Sequence, residues 1–123
     1  MSAGPDRIKL TSKIDHRLDD LDGLLSLTAY RVLQEGITNV LRHAQAETAD
    51  VLVALEQKEV AIEISDDGIG FPSEQPFGRG LIGMRERVRA LNGSFEILRE
   101  NRRTRIRCRL AVEHRAERLT SVL

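Results

Sequence analysis

The chain has 123 residues, 41% hydrophobic and 31% charged, with 19 Lys and Arg balanced by 19 Asp and Glu. That suffices for one domain with one core, and zero net charge supplies no global field to attract nucleic acid or an acidic membrane. The single cysteine, Cys108, excludes an intrachain disulfide framework, and no apolar run approaches the roughly 20 residues of a membrane span.

Met1 to Pro5 has no apolar h-region, so no signal peptide is expected, and the chain reads as a piece of a larger protein. Residues 1–6 are taken as a tail, 7–112 as one domain, and 113–123 as a charged C-terminal tail. From Arg7 to Ile14 the residues Ile8, Leu10, Ser12 and Ile14 alternate with polar ones, which predicts a half-buried strand. Asp15 to Asp22 is an acidic, turn-prone connector closed by Gly23, and His16 within it is a surface residue. Leu24 to Ala44 is the strongest helix, with Leu25, Thr28, Ala29, Val32, Leu33, Gly36, Ile37, Val40 and Leu41 on one broad stripe and Ser26 as candidate cap.

Val51–Glu56 and Glu59–Ser65 alternate about Gln57-Lys58 and predict an antiparallel hairpin. The pattern breaks from Asp66 to Gly80, a stretch rich in Gly and Pro, and long loops of that kind are usually functional. Leu81 to Leu91 is a second helix with Leu81, Met84, Val88 and Leu91 on one face, stopped by Asn92-Gly93. Ser94–Arg99 and Thr104–Val112 are two further strands. The order β-α-β-β-loop-α-β-β predicts the α+β class: a two-layer α/β sandwich whose mixed or antiparallel sheet carries helices on one face.

Three clusters carry chemistry. Glu35, Asn39 and His43 stand at i, i+4 and i+8 beside Arg42, sharing a polar helix face. The Asn39 carbonyl oxygen suits Mg²⁺, Glu35 could polarise a nucleophile, and Arg42 and His43 could contact phosphate. Taken alone, this face reads more simply as a solvated helix surface. Asp66-Asp67-Gly68-Ile69-Gly70 follows an apolar strand, so the Asp66 carboxylate could accept from the amine of adenine while Gly68 and Gly70 let the base approach. An Asp-Gly turn is an equal reading, and Asp67 should point elsewhere because strand neighbours alternate.

Gly78-x-Gly80-x-x-Gly83 matches the dinucleotide fingerprint in form only: Phe71 to Phe77 precedes it instead of a strand. Its glycines still open a loop onto a helix N-terminus that can face phosphate. There is no Walker motif. Arg99, Arg102, Arg103, Arg105, Arg107 and Arg109 resemble a nucleic-acid patch, but Arg105, Arg107 and Arg109 alternate with Ile106, Cys108 and Leu110. With 3% aromatic residues this is a wet sheet face, no nucleic-acid partner is expected, and Cys108 is core packing.

These segments resemble the sensor histidine kinases of the NarX/DesK/UhpB-like branch. Arg31 to Ala44 is similar to the N box, Asp66 to Phe71 to the G1 box, and Gly78 to Val88 to the G2 box with its Gly-Leu-x-Gly-Met-x-Glu-Arg pattern. The resemblance implies the Bergerat fold of the GHKL ATPases, with ATP as ligand. Asn39 would coordinate Mg²⁺, Glu35 would be the catalytic acid/base, and Asp66 would bind the adenine amine. Gly68 and Gly70 would shape that pocket, Gly78, Gly80, Leu81 and Gly83 would form the ATP lid and its hinge, and Thr104 would support adenine. It also implies transfer to a histidine on a separate helical phosphoacceptor domain of a dimeric parent, and onward to a response regulator. The isolated domain would be monomeric and cytoplasmic, with the parent's membrane anchoring open.

Two features depart from the pattern. Glu100-Asn101-Arg102-Arg103-Thr104 lacks the family's Gly-x-Gly-Thr, which leaves that turn open, and no helix bearing a phosphoacceptor histidine is present. An anti-sigma-factor-type serine kinase and a nucleotide-sensing module without transfer activity are the alternatives.

Overall fold

A computed structural model describes residues 8–21, 23–69 and 79–112. The expected tails 1–6 and 113–123 fall outside this set. Five strands form one mixed sheet in the order β1-β2-β3-β5-β4: β1 (Lys9–Ile14), β2 (Thr48–Glu56), β3 (Glu59–Asp66), β4 (Ser94–Glu100) and β5 (Arg103–Ala111). Only β1 and β2 run parallel; the other pairs are antiparallel. Helices α1 (Gly23–Asn39) and α2 (Arg79–Ala90) cover one face. The α+β two-layer sandwich read from the sequence is the fold observed.

Cross-strand register makes the covered face a set of aliphatic rows. Val53, Ile62, Cys108 and Phe95 lie opposite one another, as do Val51, Ile64, Ile106 and Ile97. Leu25, Ala29, Val32 and Leu33 of α1 and Leu81, Met84 and Val88 of α2 pack onto them. A methyl group on Gly36 would overlap Ile64 Cδ1, so this glycine sets how closely α1 lies on β3. Cys108 is 1% exposed and burial pushes its thiol up to about 12, so it is packing, as its strand parity predicts.

The opposite face is a wet arginine ladder. Arg103 meets Asp50 at 3.0 Å, Arg107 meets Glu63 at 3.5 Å, and Arg109 meets Glu59 at 3.0 Å. Acidic partners on neighbouring strands thus consume the charge that mimicked a nucleic-acid patch.

Three expectations need correction, and two connections take a form the sequence left open. Strand β1 is exposed at all six positions rather than half-buried. Leu10 and Ile14 do share the face of Ala49 and Val53, but the helices pack chiefly over β3, β4 and β5 and leave this edge uncovered. Ser26 lies inside α1, which starts earlier at Gly23, so it is not the cap. The α-helix ends at Asn39 and continues as a π turn, Val40–Ala44, closed by Gln45 in the left-handed region at φ 52°. The acidic connector is a 3₁₀ turn, His16–Asp20, whose Leu18 is 1% exposed and anchors it to the core. The β4–β5 turn needs no glycine: Asn101 and Arg102 adopt φ 52° and 62°, the two positive values of a type I′ turn.

Candidate active site

The last row of the covered face breaks the aliphatic pattern. Asp66 on β3 lies opposite Thr104 on β5, and Thr104 lies opposite Arg99 on β4. Asp66 is 5% exposed and Thr104 3%. Asp66 Oδ1 accepts the Gly68 N–H at 2.8 Å, which fixes the carboxylate and turns the chain away from the sheet. Burial pushes the Asp66 carboxyl above the ordinary carboxylate range, opposed by the Gly68 N–H and the Arg99 charge. With one oxygen bonded by a described residue, this buried carboxylate has lone pairs on the other that can accept a ligand N–H.

Asp67 points the other way. Its Oδ1 accepts from the backbone N–H groups of Glu47 and Thr48, each at 2.9 Å. These bonds hold its carboxyl below the usual range and fasten the entry of β2. The two adjacent aspartates therefore face opposite ways, Asp66 at the buried end of the sheet and Asp67 clasping the entry of β2, as strand alternation predicts.

On α1, Asn39 is 9% exposed and its Nδ2 donates to the Glu35 carbonyl at 3.0 Å. With the amide nitrogen tethered, Oδ1 is the group left to serve a ligand. Among the described residues no cluster of three or more His, Cys, Asp or Glu side chains is present. The Asn39 Oδ1 is a hard oxygen of the kind Mg²⁺ takes, and such an ion keeps several waters. The Glu35 carboxylate lies against Gly80 in the first turn of α2, where a methyl group would overlap its Cδ and Oε2. Glycine at 80 lets the acidic side chain of one helix reach the start of the other.

Two groups are thus formed: Glu35 and Asn39 of α1 with Gly80 at the start of α2, and Asp66 with Gly68 at the end of β3. Thr104 joins Asp66 across the sheet. Arg42 is exposed in the π turn; His43 shares that turn, with its side chain outside the described set. Gly70 and Gly78 lie outside the described residues. Leu81 is 2% exposed and belongs to the core, and Gly83 lies within α2 with space around it. The residue that sequence reasoning missed is Arg99, whose Nη1 donates to Thr104 Oγ1 at 2.7 Å and to the Gly68 carbonyl at 2.8 Å. Its signal was parity: it follows Phe95 and Ile97 at alternate positions, so it takes their face of the sheet, unlike Arg105, Arg107 and Arg109, although at this strand end it is exposed.

Residues 25–114 match the model of the family described as histidine kinase-, DNA gyrase B-, and HSP90-like ATPases. The chain is 48% identical over 71 residues to the sensor histidine kinase DesK of Bacillus subtilis (strain 168), a stretch covering 56% of this chain and 19% of DesK. It is 37% identical over 91 residues to the signal transduction histidine-protein kinase/phosphatase UhpB of Salmonella typhimurium, covering 72% of this chain and 18% of UhpB. The blue-light activated histidine kinase of Erythrobacter litoralis EL346 shares the fold, with a TM-score of 0.71 at 20% identity over 90% of this chain and 37% of that one. The chain spans about a fifth of the length of these two sequence relatives.

Proposed function

This chain belongs to the family of histidine kinase-, DNA gyrase B- and HSP90-like ATPases and is an ATP-binding domain of the sensor histidine kinase kind, and we propose that within its parent it delivers the γ-phosphoryl group of ATP to a histidine on a separate helical domain. A response regulator would take the group onward. The observation that carries the reading is the pairing of buried Asp66 with Thr104 at the end of the sheet, below the helix that holds Glu35 and Asn39.

Asp66 would accept the amine of adenine, Gly68 would leave room for the base, and Thr104 would support it from β5. Asn39 Oδ1 would hold Mg²⁺, which when bound neutralises charge on the β- and γ-phosphates. The imidazole nitrogen of the acceptor histidine attacks the γ-phosphorus as the bond to the ADP oxygen breaks, and Glu35 takes the proton that the imidazole loses. Arg42, His43 and the glycines at 70, 78, 80 and 83 would contact or cover the phosphates. Positioning supplies most of the rate in such a transfer.

The test is a titration with a fluorescent ATP analogue, with and without Mg²⁺, alongside Asp66→Asn and Asn39→Ala. Saturable binding that weakens in the first variant and loses Mg²⁺ dependence in the second is expected. Absence of binding by folded wild type would overturn the site. Glu35→Gln should keep nucleotide affinity and lose transfer to an added phosphoacceptor domain; undiminished transfer removes Glu35 from the chemistry.

A further inference from the structure

Arg99 lies on the same face of β4 as Phe95 and Ile97, at the exposed end of this edge strand, yet its guanidinium reaches inward to the buried row. One guanidinium nitrogen, Nη1, donates to two acceptors, the Gly68 carbonyl at 2.8 Å and Thr104 Oγ1 at 2.7 Å. The first acceptor belongs to the turn that also donates to Asp66. The second belongs to the residue paired with Asp66 across the sheet. Asp66, Gly68 and Thr104 are thus tied together by one cation. Among the described residues, Arg99 is the hydrogen-bond partner of the Thr104 hydroxyl.

A threonine hydroxyl is ordinarily ambivalent, with one proton to give and two lone pairs to accept with. A cationic donor on one lone pair polarises the O–H bond outward, so the group becomes a better donor and a poorer acceptor. The row then presents an acceptor at Asp66 beside a donor at Thr104. Adenine offers the complement, an amine beside a ring nitrogen acceptor. Guanine offers the reverse, a carbonyl oxygen beside a ring N–H.

We propose that Arg99 is a positioning residue that fixes Thr104 as a hydrogen-bond donor and thereby selects adenine over guanine nucleotides in this site. The proposal rests on the nucleotide-binding reading above. Arg99 touches no nucleotide in this scheme; it acts through the Thr104 hydroxyl and the Gly68 carbonyl.

The experiment measures ATP and GTP affinities by displacement of a fluorescent ATP analogue from wild type, Arg99→Met, Thr104→Val and the double variant, with thermal melts confirming that each is folded. The ATP-over-GTP preference should fall roughly 3- to 10-fold in Arg99→Met, the range one neutral hydrogen bond commands. Thr104→Val should lose a similar factor, and adding Arg99→Met to it should change the preference no further. An equal loss of both affinities at constant preference would make Arg99 a strut only and overturn the proposal. So would an Arg99→Met effect that persists in full when Thr104 is already valine. Should Arg99→Met fail to fold, Arg99→Gln, neutral and shorter, decides by the same ratio. A folded wild type that binds no nucleotide defeats the underlying reading, whereas saturable binding with an unaltered ratio defeats only the role of Arg99.

Discussion

The two ends of the covered sheet face treat polarity in opposite ways. At the hairpin end, Leu55, Val60 and Leu110 form a row in which Val60 and Leu110 are fully buried. At the other end Asp66, Thr104 and Arg99 occupy the equivalent row. The same strands and register thus contribute burial at one end and, at the other, two buried hydrogen-bonding groups, Asp66 and Thr104, with the exposed Arg99 beside them. Stability comes from the first, and the second draws on it: a buried carboxylate is costly unless bonded, and among the described residues one Asp66 oxygen accepts from the backbone.

The comparison breaks if the ends are not separable. Leu110→Ala should cost about 2–5 kcal/mol by chemical denaturation, as core truncations do, while the folded fraction keeps its nucleotide affinity. A parallel fall in affinity would show that the site depends on the whole face. Next in size, Asp66→Asn should weaken ATP binding roughly 10- to 100-fold, the range for a hydrogen bond to a charged group. It should not destabilise the free domain at neutral pH. Because burial raises the folded pKa of Asp66, the stability tied to its protonated form is present in acid and lost as pH rises through that folded pKa. The Asn variant should therefore gain on wild type in thermal melts as pH is raised from acid to neutral.

Asp67 sharpens the contrast with the opposite sign. Its folded pKa is lowered by the Glu47 and Thr48 N–H groups, so its contribution is present above the ordinary aspartate pKa and lost as pH falls through the folded one. Asp67→Ala should cost about 1 kcal/mol at pH 7 after allowance for solvent screening, and less in acid. The smallest effect belongs to the wet face. Arg107→Gln should change stability by less than about 0.5 kcal/mol, because exposed ion pairs contribute little. A larger loss in urea denaturation would mean the arginine ladder acts as a network.

Much of this contrast was legible in the residues. Alternation placed Ile62, Ile64, Ile106 and Leu110 in the core, and the break after Asp66 marked the site end. Alternation reports which face a residue takes but not whether anything covers it, which is why Leu10 and Ile14 were expected inside and lie exposed. The π turn after Asn39 has no local signal, since Val40 and Leu41 continue the helical stripe. Arg99 is exposed, as its grouping with five other arginines suggested, but its strand parity with Phe95 and Ile97 separates it from the arginine ladder and gives it Thr104 and Gly68 as partners.

Asp66 and Thr104 lie opposite each other, yet α2 and β4 intervene in the chain between them. The β2–β3 hairpin closes locally, whereas the β3–β5 ladder must wait for a long loop to close, a slow step in sheet formation. The two halves of the proposed base pocket therefore meet only when the domain is nearly complete. Nucleotide can recognise the finished fold and not its precursors, so at about 100 times its dissociation constant it adds about 2.7 kcal/mol to the native state alone. In a cell, saturating ATP would act as a late fastener, retaining chains that have finished folding and giving no help to those stalled before β5.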